Sequence, residues 1–266
     1  MAARRPRREP AARADVAPTG RRRTLVLLGV LAFVAFTISV LPASLAGRLI
    51  AGQPIEVGGW SGTVWSGTAH ALAVRGQSFG DLHWTLHPSA LLQLRVGATI
   101  ELTRSDGTAT AYATVRDPRV VELSDLSFDL PLAAFARAGG SAWSGRARGT
   151  FESATLTQGW PTAARGTAEF DAVTMPAPRS TPLGNLQATF PDPRGTAAGG
   201  ALTARISGGN PLAIDASLVL SPGRNFEISG TVTGVGALPP GLERALGALG
   251  PPDPSGRREF SASGTL

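Results

Sequence analysis

Few residues of this chain could do chemistry, and their spacing does not serve it. Of 266 residues, three are histidine (His70, His83, His87) and none is cysteine. His83 and His87 have the i, i+4 spacing that sets two imidazoles on one face of a zinc-binding helix. The residues between them are Trp84-Thr85-Leu86, without the Glu of an H-E-x-x-H motif. The segment reads as a strand halted by Pro88, which predicts surface or turn histidines and no metal. Ser61, Ser66 and Ser144 each lie in a Trp-Ser-Gly triplet, but Val64 stands where a nucleophile elbow needs Gly. A phosphate-cradling P-loop is excluded, because the chain has no Lys. Gly234-Val235-Gly236 reaches Pro239 where a dinucleotide loop needs its third Gly. Asp125 and Asp129 are paired carboxylates with no histidine beside them. This inventory predicts no catalytic residue, no cofactor and no metal, hence a protein that is not an enzyme.

The elements that carry these residues begin with a membrane-length run. Thr24 to Leu41 is 18 apolar or hydroxyl residues, about 27 Å as a helix and close to the hydrocarbon thickness of a bilayer. Eight Arg precede it against Glu9 and Asp15, which accounts for the whole net charge of +6. The remainder is neutral, so the folded part has no electrostatic case for nucleic acid. Arg21-Arg22-Arg23 at the near edge predicts a cytoplasmic N-terminus and a bulk beyond the inner membrane, in the periplasm. The competing reading is a cleaved signal, with Ser44-Leu45-Ala46 as the small-x-small site; the run exceeds the usual h-region, which favours an anchor. The expected organisation is a disordered arm over 1–23, a transmembrane helix over 24–41, a linker over 42–56 and a β-domain over 57–266.

Past Gly47 period-two alternation dominates. Ile100 and Leu102 alternate with Thr99, Glu101 and Thr103; Leu202, Ala204 and Ile206 with Thr203 and Arg205; Ile214, Ala216 and Leu218 with Asp215 and Ser217. This is the pattern of half-buried strands. Turn signals separate them at Asp106-Gly107, Arg116-Asp117-Pro118, Gly139-Gly140, Gly208-Gly209-Asn210-Pro211 and Pro222-Gly223. The fold class is therefore mostly β, a curved antiparallel sheet or sandwich of hairpins. Helical exceptions are expected at Pro88–Leu92, Pro131–Ala138 and Pro240–Leu249, the last with Leu242, Leu246 and Leu249 on one face. An ungapped shift of 104 residues aligns Phe79-Gly80-Asp81-Leu82 with Leu183-Gly184-Asn185-Leu186, and Gly62-Thr63 with Gly166-Thr167. Two repeated modules follow, over about 57–160 and 161–266.

The five Trp are the remaining candidates. Trp65 and Trp143 each precede Ser-Gly, as though one turn recurs. Trp65, Gly67, Gly80, Leu82, Trp84 and Trp143 are read either as caps on a thin core or as a partner-binding patch.

Gly62-Thr63-Val64-Trp65-Ser66-Gly67, then Gly80-Asp81-Leu82-His83-Trp84-Thr85-Leu86 leading into Pro88-Ser89-Ala90-Leu91-Leu92, resembles the type II secretion system protein N family. The Arg-flanked run ending Leu41-Pro42-Ala43 and the ending from Leu249-Gly250-Pro251-Pro252-Asp253 to Thr265-Leu266 are similar too. The resemblance implies a bitopic inner-membrane accessory of the apparatus that moves folded periplasmic proteins across the outer membrane. It implies other secretion subunits and inner-membrane lipid as partners, a homo-oligomer being compatible, and no catalytic residues to transfer. The second reading is a lipid-handling β-groove protein, similar to AsmA-like or lipopolysaccharide-transport proteins. An open apolar trough lined by Leu102, Val115, Leu202, Ile206 and Leu218 favours lipid; a sheet packed shut by its own side chains favours a scaffold.

Overall fold

The computed structural model describes residues 19–49, 54–91, 93–135, 143–175, 181–191, 200–238 and 240–265. The expectations for residues 1–18, Leu92 and the Gly139-Gly140 turn lie outside them. The chain divides into two compact units, Met1–Leu41 and Pro42–Leu266.

In the first unit α1 spans Thr19–Ser39, taking in Arg21–Arg23 and stopping before the apolar run does. Its apolar part is Thr24 to Ser39, about 24 Å long. Among the described residues no helix is long and apolar enough to cross a membrane. From Leu27 to Val40 the large apolar side chains point outward on every side, with Leu27 and Phe33 each 70% exposed.

The second unit is one antiparallel sheet. Its strands are β1 (Ile55–Glu56), β2 (Gly59–Gly62), β3 (Ser66–Val74), β4 (Gln77–His87), β5 (Val96–Arg104), β6 (Gly107–Asp117), β7 (Val120–Pro131), β8 (Ser144–Thr157), β9 (Trp160–Met175), β10 (Thr181–Phe190), β11 (Leu202–Leu220), β12 (Asn225–Gly234) and β13 (Arg258–Thr265). From β3 onward each strand pairs with the next, while β1 and β2 share the outer side of β3. Among the described residues there is no second sheet, so the sandwich form of the expectation is corrected to a single antiparallel sheet. Alternation is consistent with two sheets or one, because it sorts the faces of a strand without saying what covers them. Within the expected linker, α2 forms over Ser44–Leu49 and Pro42 bridges Thr63.

The register sorts the two faces across eight strands. One row runs Leu82, Leu102, Ala109, Phe128, Gly149, Ala168, Ala188, Ile206. The neighbouring row, on the opposite face, runs His83, Glu101, Thr110, Ser127, Thr150, Thr167, Thr189, Arg205. These rows set an apolar face against a predominantly polar one, which also carries Ala163, Ala213 and Val219. The apolar face is small-residue rich, and Ala147, Ala168, Ala188, Ala204 and Ala216 are buried on it. Along it Phe128 stacks on Phe151 with centroids 6.2 Å apart, and Phe151 meets Phe190 at 5.3 Å. The Phe128 ring occupies the space a Gly149 side chain would need. Large rings thus fill the gaps left by glycines.

Two pieces cover the ends of this face. The helix α4 (Pro240–Gly247) drops Leu242 and Leu246 onto Leu212 and Val232, joined by Leu183, Ile214, Leu238 and Phe260. Each buried leucine contributes about 1.5–3 kcal/mol. Leu249, expected on the same stripe, lies beyond the last turn of α4 and is 42% exposed; the helix ends before that residue can join it. A 3-10 turn over Leu132–Phe135 follows β7, within the Pro131–Ala138 helical turn expected. The Gln77 amide donates to the Ala134 carbonyl at 2.5 Å, tying that turn to the start of β4. The short helix expected after His87 is α3 (Pro88–Leu91).

Strand β11 turns back on itself at the predicted Gly208-Gly209-Asn210-Pro211 turn. Arg205 and Asp215 are ten residues apart, about 33 Å in a straight strand, yet their side chains hydrogen-bond at 2.8 and 3.1 Å. Its two arms lie side by side, and each keeps its even-numbered residues on the apolar face.

One local device occurs twice. Gly80 (φ 84°) and Gly184 (φ 85°) sit at register shifts opposite Ala71 (φ 50°) and Ala172 (φ 49°). The Ala71 N–H donates to Asp81 Oδ1 at 2.9 Å, and the Ala172 N–H to Asn185 Oδ1 at 3.0 Å. A bulge leaves one N–H without a ladder partner, and the residue after each glycine supplies the acceptor.

Candidate functional site

The sequence candidates converge on the corner where β2, β3 and β4 meet. Gly67 pairs with Trp84, and the Trp84 ring lies over Gly67 where a Cβ would collide with it. Trp84 Nε1 donates to the Val64 carbonyl at 2.8 Å, and the Trp60 ring meets Trp84 edge-on at 5.9 Å. The Trp65 carbonyl accepts from the Leu86 N–H at 2.6 Å. This half-buried aromatic knot closes the turn before β3, and Trp60 also faces Gly47 of α2. Leu82 lies between Ala69 and Leu102 on the apolar face. Gly80 is at the bulge, where a Cβ would meet the Thr103 carbonyl. Trp143 is not in the knot: it precedes β8 and is 43% exposed.

The polar side of this corner carries a linkage that sequence reasoning missed. Ser61 Oγ lies 3.0 Å from His70 Nε2, and His70 Nδ1 lies 3.1 Å from Asp81 Oδ2. The Ala71 N–H, and after it the His70 ring, hold the Asp81 carboxyl below the usual carboxylate range. The connectivity is that of a hydrolase triad. The setting is different, for His70 and Asp81 are 48% and 52% exposed on the solvent-facing side of the sheet. A nucleophile relay also needs donors aimed at a developing oxyanion and a cleft that excludes water. The linkage joins β2, β3 and β4 through their side chains. Only the register brings these residues together, and the bulge at Ala71 sets it. The weak signal for it in the chain is Gly80-Asp81 after a strand carrying His70.

His83 and His87 lie along β4, His83 against Thr68 at 3.1 Å and His87 against Thr99 at 2.9 Å. Among the described residues no three His, Asp or Glu side chains gather as a metal site would require. Asp129 is held low by Arg146, which donates to it, with Arg148 adding charge. Arg148 continues to Asp171 at 2.5 Å, so the polar face of β7, β8 and β9 carries a ladder of ion pairs. The trough residues share the apolar face, Leu202 buried and Leu102, Val115, Ile206 and Leu218 half-buried.

This chain matches known proteins along most of its length. The family model for the type II secretion system (T2SS), protein N, matches residues 53–261. The type II secretion system protein N of Vibrio cholerae serotype O1 is 28% identical over 239 residues, covering 85% of this chain and 91% of its own. No solved structure matches it significantly. With the family match running from β1 into β13, the chain belongs to the type II secretion system protein N family.

Proposed function

We propose that this protein is a non-enzymatic inner-membrane accessory of the type II secretion system, its β-domain docking other secretion subunits in the periplasm. The observation that carries the reading is one continuous sheet with one apolar and one predominantly polar face. A ladder-bonded sheet with a polar, ion-paired face is a rigid surface for protein partners. In this reading α1 is the single anchor, with its N-terminus cytoplasmic. Apolar side chains exposed all round the helix support that, since water disfavours such a surface. Its 24 Å apolar length is short for a span, which a locally thinned bilayer would accommodate. The halves 57–160 and 161–266 are two copies of one module, which the matched bulges at Gly80 and Gly184 support.

The test places a photo-crosslinking amino acid at His83, Thr150 or Arg205 in secreting cells. Adducts with other secretion subunits are expected; adducts from none of the three would end the docking proposal. Alkaline-phosphatase fusions after residue 57 check the topology, with activity expected. Amino-terminal sequencing should begin at Met1, whereas a start at Gly47 would make α1 a cleaved signal.

Half-burial of Leu102, Val115, Ile206 and Leu218 favours a second reading, that the apolar face holds lipid chains. Mass spectrometry of the purified β-domain would then find co-purified lipid, and its absence would leave the face to the protein's own side chains.

A further inference from the structure

The two edges of the sheet are treated unequally. On the first, the outer side of β3 is covered: β1 and β2 pair with it, and Gly58 N–H donates to the His70 carbonyl at 2.8 Å. On the last, β13 pairs with β12 through eight consecutive residues without a bulge, and among the described residues its outer side has no ladder partner. Soluble sheets protect such edges with charge, proline, bulges or a covering element. Among the described residues Phe260 to Thr265 has none of these, the charges of β13 being confined to Arg258 and Glu259 at its start.

We propose that β13 is a self-association edge, where two copies of this chain pair antiparallel about a two-fold axis near Ser261 and Ala262. The occupant has to satisfy three conditions. It must be an extended strand, because what is on offer is a row of backbone donors and acceptors. It must also continue the sorting of the faces, with Phe260 and Ala262 on the apolar side and Ser261 and Ser263 on the polar side. A two-fold axis perpendicular to the sheet does this, because it leaves each face on its own side. Finally, it must not set like charges opposite one another. With the axis at Ser261 or Ala262, Arg258 and Glu259 fall opposite uncharged residues of the second copy. The opposite edge offers only the short β1 and β2, of two and four residues, which disfavours open-ended stacking and leaves the assembly at two. The inference concerns the sheet edge alone and does not depend on the secretion reading.

The chain has no cysteine, so a single introduced one reports without background. Full-length Ser261→Cys and Ala262→Cys in membrane vesicles, under mild oxidation, should give a disulfide-linked species of twice the chain mass for at least one of them. Directly opposed strand residues approach within disulfide reach. Ser61→Cys on the covered edge should not cross-link. Ser261→Lys and Ser261→Glu should each weaken self-association about tenfold by opposing like charges, and co-expression of the two should restore it. Ser261 is exposed, so both variants should melt as the parent does. A cross-link to a different protein alone, or no cross-link at either position, would overturn the proposal. So would a charge-swap mixture no better than either single variant where Ser261→Cys is the position that cross-links.

Discussion

Two corners of the sheet use the same backbone geometry with different chemistry. Where β3 meets β4, a positive-φ alanine gives its N–H to the carboxylate of Asp81. Where β9 meets β10, the matching alanine gives its N–H to the neutral amide oxygen of Asn185. Glycines at φ 84° and 85° precede the two acceptors. The requirement common to both is an oxygen at a fixed reach from a left-handed turn. Charge is an extra that one corner has, and there it gathers His70 and through it Ser61. The bulge is therefore a geometric device first and an electrostatic one second.

The largest test of that equivalence is steric. Gly184→Ala would drive a Cβ into the Asn210 backbone and the Pro211 ring, while Gly80→Ala meets the Thr103 carbonyl and the more yielding Arg104 side chain. Each change should cost about 2–5 kcal/mol from the left-handed conformation and overpacking together. Gly184→Ala should be the worse of the two in denaturant unfolding of the β-domain. Equal, near-parental midpoints would mean that neither glycine is required by its bulge.

A smaller effect separates oxygen from charge. Asn185→Ala removes only the acceptor for the Ala172 N–H and should cost about 0.5–1.5 kcal/mol. Asn185→Asp keeps an oxygen in place and should recover most of it. Thermal melts of the two variants, side by side, measure the difference; an Asp as damaging as Ala would show that neutrality matters at this corner.

The smallest effect is confined to acid. Because the Asp81 carboxyl is held low, first by the Ala71 N–H and then by His70, its contribution is fully present above the ordinary carboxylate range. That contribution is lost as pH falls through the lowered value. Asp106, Asp129, Asp215 and Asp253 are also held low, so acid weakens the parent at several places. The informative quantity is the melting-temperature difference between parent and Asp81→Asn. It should shrink or reverse between neutral pH and about pH 3, whereas the difference between parent and Asn185→Ala should not change with pH.

Much of this architecture was legible along the chain. Alternation located the strands because a half-buried sheet repeats every two residues. Gly208-Gly209-Asn210-Pro211 announced a reversal, which the Arg205–Asp215 pair places in the middle of β11. The Pro240 helix was readable from Leu242 and Leu246, but its end, and so the exposure of Leu249, was not. Gly67 and Trp84 stood out as residue types, while their stacking depended on a pairing 17 residues apart. The Ser61–His70–Asp81 linkage lay hidden for the same reason. His70 and Asp81 are brought together only once Ala71 is taken out of the ladder.

Residue order by itself determined which stretches extend, which turn, and that the folded part carries no net charge, because propensity, period and charge are local sums. The tertiary structure alone decided that the described strands form one sheet and not two, that rings settle over glycines, and that one edge is made of two short strands while the other is the long β13. Those outcomes depend on register and on contacts between distant segments, where shifting a strand by one residue exchanges its two faces.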